Sequence, residues 1–221
     1  MKIQKKYFYL SIFCFIVLAS LELFSLGVIE PFLFGYYYSD YTIFQKGLHS
    51  LITSLLWAIS IMGIIRYRSK LDSEIRTKEN EDVTNLGFFI FICLLFFCKV
   101  ITYIDWGTLK IIGEIRTKEN LYLVITQYIY YIFEVALVSM IIIYAQKSID
   151  SSPNLSCPKL FPFGGLVLSL TWGAFHFISN GIDLWNGISC MLFSLLAGMA
   201  YQITKQNEKY LLCFVMIGYL I

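Results

Sequence analysis

Ser169–Thr204 reads SLTWGAFHFISNGIDLWNGISCMLFSLLAGMAYQIT. It holds one acid, no lysine and no arginine. It also holds His176, one of only two histidines in the chain, set among apolar residues. The two halves, either side of the Ser-Asn-Gly-Ile-Asp break, are each apolar enough to live in lipid. The whole chain follows suit. Of its 221 residues 58% are hydrophobic, 18% aromatic and only 14% charged, against about 25% charged in soluble domains. So apolar a chain has no way to cover its surface in water, and the bilayer is its expected solvent. No basic face or aromatic-basic interleaving is present, so nucleic acid is excluded as a partner.

Outward from that stretch, apolar runs define an all-α bundle of six to seven spans. The expected spans are Tyr7–Ile29, Leu48–Ile65, Leu86–Ile104, Leu121–Tyr144, Leu160–Ser179 and Trp185–Ile203. The first is too long for the 7–15-residue apolar core of a signal peptide and is expected to be retained. A final segment, Tyr210–Ile221, falls short of the ~20 residues that cross a bilayer. Lysine and arginine set the orientation. With the N-terminus cytoplasmic, twelve basic residues fall inside and four (Lys46, Lys110, Arg116 and Lys118) fall in external loops, which favours N-in. Residues 1–120 form an N-terminal set of three spans and polar loops; residues 121–221 form the core.

All six cysteines except Cys157 lie in apolar runs, and none forms a Cys-x-x-Cys pair. They are expected to be small apolar fillers. The heptapeptide EIRTKEN occurs at Glu74–Asn80 and again at Glu114–Asn120. In each copy a glutamate precedes a lysine by four residues, the favourable helical order, so both copies are expected to extend helices at membrane edges.

An ionisable group inside a span costs ~2.5–3.5 kcal/mol on insertion scales and therefore faces the protein interior or a watery cavity. Glu22, Glu134 and His176 qualify, and His49 stands at the mouth of the second span. Under N-in topology all four lie in the middle or outer half, so they can converge. A glutamate in an apolar pocket suits a general base toward water; a histidine suits an oxyanion donor or a metal ligand. A packing hydrogen bond is the plainer role for the same two residues.

The run SLTWGAFHFISNG resembles the second motif of the CPBP (CAAX protease and bacteriocin-processing, or Abi) family. Trp172, Gly173 and His176 match it, and Asn180 follows four residues after the histidine. FSLLAGMAYQIT resembles the glycine-rich helix that comes next in that family, with Gly198, Tyr201 and Thr204 in place. Glu134 takes the position of the family's first motif. The resemblance spans Ile132 to Ile221 and implies an intramembrane peptidase with Glu134 as base, His176 as oxyanion or metal partner and Asn180 in support. No cofactor is implied; a divalent metal stays open, with His176 its in-motif candidate. The chain departs from the family at three points. One glutamate stands where two are usual, the arginine position falls on Val138 or Ser139, and the last segment lacks the third motif's histidine and Asn or Asp.

Peptidase activity is accordingly expected to be reduced or lost. The alternatives are a non-catalytic bacteriocin self-immunity or scaffold protein, and a small transport subunit that uses Glu22 and Glu134. The expected partners are the lipid bilayer and a membrane protein or peptide, and the expected location is a bacterial plasma membrane. Gly187–Met199 also resembles the rhomboid serine helix with Ser189 as nucleophile, but Cys190 replaces the glycine that follows the serine there. Small residues on this helix equally serve close packing.

Overall fold

The computed structural model describes residues 3–35, 38–73, 82–118, 120–151, 160–179 and 183–220. Asn180 and the first EIRTKEN copy lie outside these. The described residues hold helices and no strand: α1 (Ile3–Phe34), α2 (Ile43–Asp72), α3 (Asn85–Trp106), α4 (Lys110–Thr117), α5 (Leu121–Asp150), α6 (Phe163–Ile178), α7 (Leu184–Ile203) and α8 (Glu208–Leu220). Five helical stretches are long and apolar enough to cross a membrane, with α3 and α4 counted as one. This is an all-α, multi-pass membrane protein. The expected fifth span, Leu160–Ser179, is shorter than the others and carries a π turn at Ser169–Gly173.

The helix ends follow local chemistry. Thr42 and Gln45 form a reciprocal capping box at the start of α2, satisfying backbone N–H groups that have no partner in the first turn. Thr84, Asn120 and Asp183 cap α3, α5 and α7 through side-chain oxygens. At Gly107 the chain turns left-handed, φ 65°, and ends α3 where the Asp105-Trp106-Gly107 sequence suggests. In α1 a π turn at Ser25–Ile29 lies just ahead of Pro31. Proline has no N–H and crowds the carbonyl four residues back, and a widened turn accommodates both faults.

α5 is the axis of the bundle. It packs against α1, α2, α6 and α8, and Leu137, Ile141, Ile142, Tyr144 and Ala145 are fully buried. Polar contacts join it to its neighbours. Ser11 of α1 donates to the Ile141 carbonyl at 2.9 Å, and Gln146 accepts from the Gly164 N–H at 3.1 Å where α6 begins. At one end of the bundle Arg68 and Lys147 meet Asp72 and Glu208, tying α2, α5 and α8 together. Tyr7 adds α1 by donating to Asp72 at 2.5 Å.

The second EIRTKEN copy does not form one helical extension. Its first four residues end α4, Lys118 is already extended, and Asn120 caps α5. Glu114 takes the Tyr131 hydroxyl at 2.6 Å, and no Glu114–Lys118 ion pair forms.

α6 and α7 approach at glycines. A Cβ on Gly198 would sit 2.5 Å from the Gly165 Cα, and one on Gly165 would sit 2.7 Å from the Ser194 carbonyl oxygen. A Cβ on Gly63 in α2 meets nothing within 4 Å. Gly198→Ala and Gly165→Ala are therefore expected to destabilise the purified protein by about 1–3 kcal/mol through backbone overpacking. Gly63→Ala is expected to be neutral or to stabilise by up to about 1 kcal/mol through helix propensity. Thermal unfolding in detergent distinguishes them.

Candidate functional site

Glu134 lies on α5 and is buried. Both its oxygens are engaged. The indole N–H of Trp172 in α6 donates to Oε1 at 3.0 Å, and the Tyr219 hydroxyl in α8 donates to Oε2 at 3.1 Å. One carboxylate thus joins three helices where water is scarce, and an unpaired buried polar group would be costly. The π turn carries Trp172 into this position; π turns recur at functional places in helices.

His176 stands one turn further along α6. Its Nδ1 lies 2.8 Å from the Trp172 carbonyl, and its ring packs on the indole at 4.4 Å between centroids. A carbonyl only accepts, so Nδ1 carries the proton and Nε2 is the nitrogen left for other partners. Glu134 and His176 are therefore joined through Trp172, one through its indole and the other through its backbone. No direct hydrogen bond links them among the described residues.

Beside His176 is a cavity of about 450 Å³. Its walls come from α3, α4, α5, α6, α7 and α8. Asp105, Lys110, His176, Asp183, Asn186 and Ser189 supply most of its polar groups. Trp172 and Tyr219 also face it, whereas Glu134 is not part of the wall and lies behind these two rings. Ser189 lines the cavity, but its hydroxyl donates to the Asn186 carbonyl at 2.9 Å in its own helix. That is a packing bond, not the histidine contact a serine nucleophile needs.

Lys110 was expected in an external loop. It is instead 6% exposed at the cavity wall, with its ammonium 3.6 Å from the centre of the Tyr219 ring and 4.4 Å from that of Tyr131. Aromatic faces stabilise a cation in this way. The positioning element is α4, which turns Lys110, Gly113 and Glu114 inward and leaves Ile112 and Ile115 exposed. This inverted pattern, charged inside and apolar outside, is what a short helix against lipid requires. The four-residue spacing of Lys110 and Glu114 was the available signal.

The other expected residues form separate groups. Glu22 accepts from the Tyr130 hydroxyl at 2.9 Å, one turn from Glu134 on α5. His49 does not join the Glu134 group. It pairs through Nδ1 with Glu30 at 2.7 Å, and Ser25 donates to the same Glu30 oxygen at 2.5 Å. Glu30 is fully buried and was missed in sequence because it sits at the end of an apolar run beside a proline. Among the described residues no three His, Cys, Asp or Glu side chains are placed to hold a metal ion. No family model, curated protein or solved structure matches the chain.

Tyr219→Phe removes one donor to Glu134 and keeps the ring; Trp172→Phe removes the other donor and exchanges the buried indole for a smaller ring. Tyr219→Phe is expected to cost about 0.6–1.7 kcal/mol, the range of interhelical hydrogen bonds in membranes, and Trp172→Phe more, because it also leaves a cavity. In a double-mutant cycle with Glu134→Gln, the two losses should be strongly non-additive with the glutamine change. Thermal unfolding of the purified variants measures this.

Proposed function

We propose that this protein is a membrane-embedded binding protein of CPBP-like descent, in which Glu134 of the ancestral glutamate–histidine pair holds helices together and the adjoining cavity takes a peptide segment. The observation that carries this reading is the placement of Glu134. A general base toward water must reach the proton it removes. Here the carboxylate lies behind Trp172 and Tyr219, with each oxygen occupied by one of them, while the cavity lies on the other side of those rings.

The lining supports a peptide as the occupant. It mixes acids (Asp105, Asp183), a cation (Lys110), an amide (Asn186), a hydroxyl (Thr102) and an imidazole (His176), with Phe193 and the Trp172 and Tyr219 rings between them. Peptide backbones need alternating donors and acceptors, and such a wall offers both. A cell-envelope protein or a bacteriocin-like peptide in a bacterial plasma membrane would present such a segment, in keeping with a self-immunity or scaffolding role.

The test uses full-length protein in proteoliposomes and a library of quenched-fluorophore peptides. Peptide binding by fluorescence anisotropy is expected for a subset of the library, weakened about tenfold by Asn186→Leu, equivalent to about 1.4 kcal/mol. Hydrolysis is expected to be no greater for wild type than for Glu134→Gln. Hydrolysis that Glu134→Gln abolishes would restore the peptidase reading, and a library without a binder overturns the binding one.

A further inference from the structure

Lys110 is 6% exposed, yet its ammonium rests on aromatic faces and not on an acceptor. Both rings beneath it give their hydroxyls to glutamates. Tyr131 donates to Glu114 at 2.6 Å, and Tyr219 donates to Glu134 at 3.1 Å. The two acids that would neutralise Lys110 are thus engaged by the phenols that hold it. An ammonium has three donors. Among the described residues Lys110 forms no hydrogen bond and no ion pair. A buried charge left in this state is costly, and it lines the cavity beside His176.

The same wall carries the opposite charge. Asp105 stands on the last turn of α3, and its carboxylate has no hydrogen bond or ion pair among the described residues. Asp183 caps α7 through Oδ1, which accepts from the Trp185 and Asn186 N–H groups at 3.1 Å each. Its other oxygen accepts no hydrogen bond there. A simple anion that meets Lys110 would also meet these two aspartates. A simple cation that meets the aspartates would also meet Lys110. Repulsion at the second contact counts against each. An occupant that carries both charges side by side escapes both penalties.

Resting on the peptide-binding reading of this cavity, we propose that it selects a peptide segment in which a carboxylate and a basic side chain lie next to each other. The carboxylate docks on the Lys110 ammonium, and the basic group lies at Asp105 with Asp183 beside it. Lys110 is prepared for this role. Its desolvation is already met in folding, and two rings hold its side chain in place, so docking orders little that was free before. Charge-assisted hydrogen bonds are the strong kind, and a water-poor wall strengthens them further. The carboxylate comes from the chain end of a C-terminal lysine or arginine, or from an acidic side chain beside a basic residue. The chemistry at Lys110 is the same for both.

Full-length protein in detergent is titrated against tripeptides that carry an uncharged fluorophore at the N-terminus, and binding is read by anisotropy. Ala-Ala-Lys with a free C-terminus is expected to bind about tenfold more tightly than its C-terminal amide, the scale of one charge-assisted bond. It should also bind about tenfold more tightly than Ala-Ala-Ala with a free C-terminus. The amide of Ala-Lys-Asp separates the two sources. Binding equal to that of free Ala-Ala-Lys assigns the carboxylate to a side chain as well, and weak binding assigns it to the chain end. Lys110→Met keeps the side-chain length without the charge. It should erase the preference for acid over amide and leave the preference for lysine over alanine. Asp105→Asn, at a partly exposed position, should do the reverse. A preference for acid over amide that survives Lys110→Met overturns the proposal. So does binding of the Ala-Ala-Ala amide as tight as that of free Ala-Ala-Lys, although the cavity would then still be a peptide site. No binding by any peptide overturns the peptide-binding reading together with this one.

Discussion

Inside a bilayer no water stands ready to satisfy a polar group, so every such group must find its partner within the protein. That constraint shapes the centre of this molecule. Glu134 sits on the most buried helix, and its carboxylate draws a tryptophan from α6 and a tyrosine from α8. The same indole supports His176, and the same tyrosine ring lies under the Lys110 ammonium. One acid thereby orders three helices directly and, through the faces of its partners, the α4 turn. Removing the charge would loosen more than a single contact. The aromatic donors would lose their acceptor, and Lys110 would keep its rings but lose a nearby compensating charge.

Both histidines stand close to a π turn. The turn at Ser25–Ile29 precedes Glu30, which pairs with His49; the turn at Ser169–Gly173 contains Trp172 and precedes His176. An extra residue in a turn rotates the following side chains relative to those before it. In α1 this brings Ser25 and Glu30 within hydrogen-bond reach of each other. In α6 it sets the indole toward α5 while Gly173 lies against Met191 of α7. Each histidine is consequently held by a fixed acceptor on Nδ1. That is a means of orienting an imidazole and serves packing and binding equally well.

Five of the six expected full-length spans were legible in the sequence because their signal is composition sustained over a membrane thickness; Leu160–Ser179 carries the composition but not the length. The stop at Gly107 and the caps at Asn120 and Asp183 were of the local kind that residue identity fixes. What could not be read was pairing across the bundle. Glu22, Glu134, His49 and His176 were recognisable as costly groups, and all four proved to be partnered. The partners themselves, Tyr130, Trp172, Tyr219 and Glu30, are residue types too common in membrane helices to be singled out. Lys110 was misplaced for a different reason. A glycine turn followed by a lysine ordinarily means an exit to water, and only the inward face shared with Gly113 and Glu114 says otherwise. The repeat misled because Glu114 has a better option than its own helix, the Tyr131 hydroxyl.

The two ends of the bundle divide the work. At one, two bases and two acids neutralise one another across α2, α5 and α8, and Gln206 reaches Asp150 at 2.7 Å from a turn in which Lys205 and Gln206 both have positive φ. Such a turn is unfavourable for side-chain-bearing residues, and it persists because its surroundings hold it. At the other end the charges do not close on themselves. Lys110 has aromatic rings and no carboxylate within ion-pair distance among the described residues, and Asp105 shares the same wall. A bundle clamped at one end with unpaired charge around a cavity at the other can admit an occupant without unfolding. The cavity end is therefore where binding can be selective, because an occupant that supplies the missing partners gains what the protein alone leaves unmet.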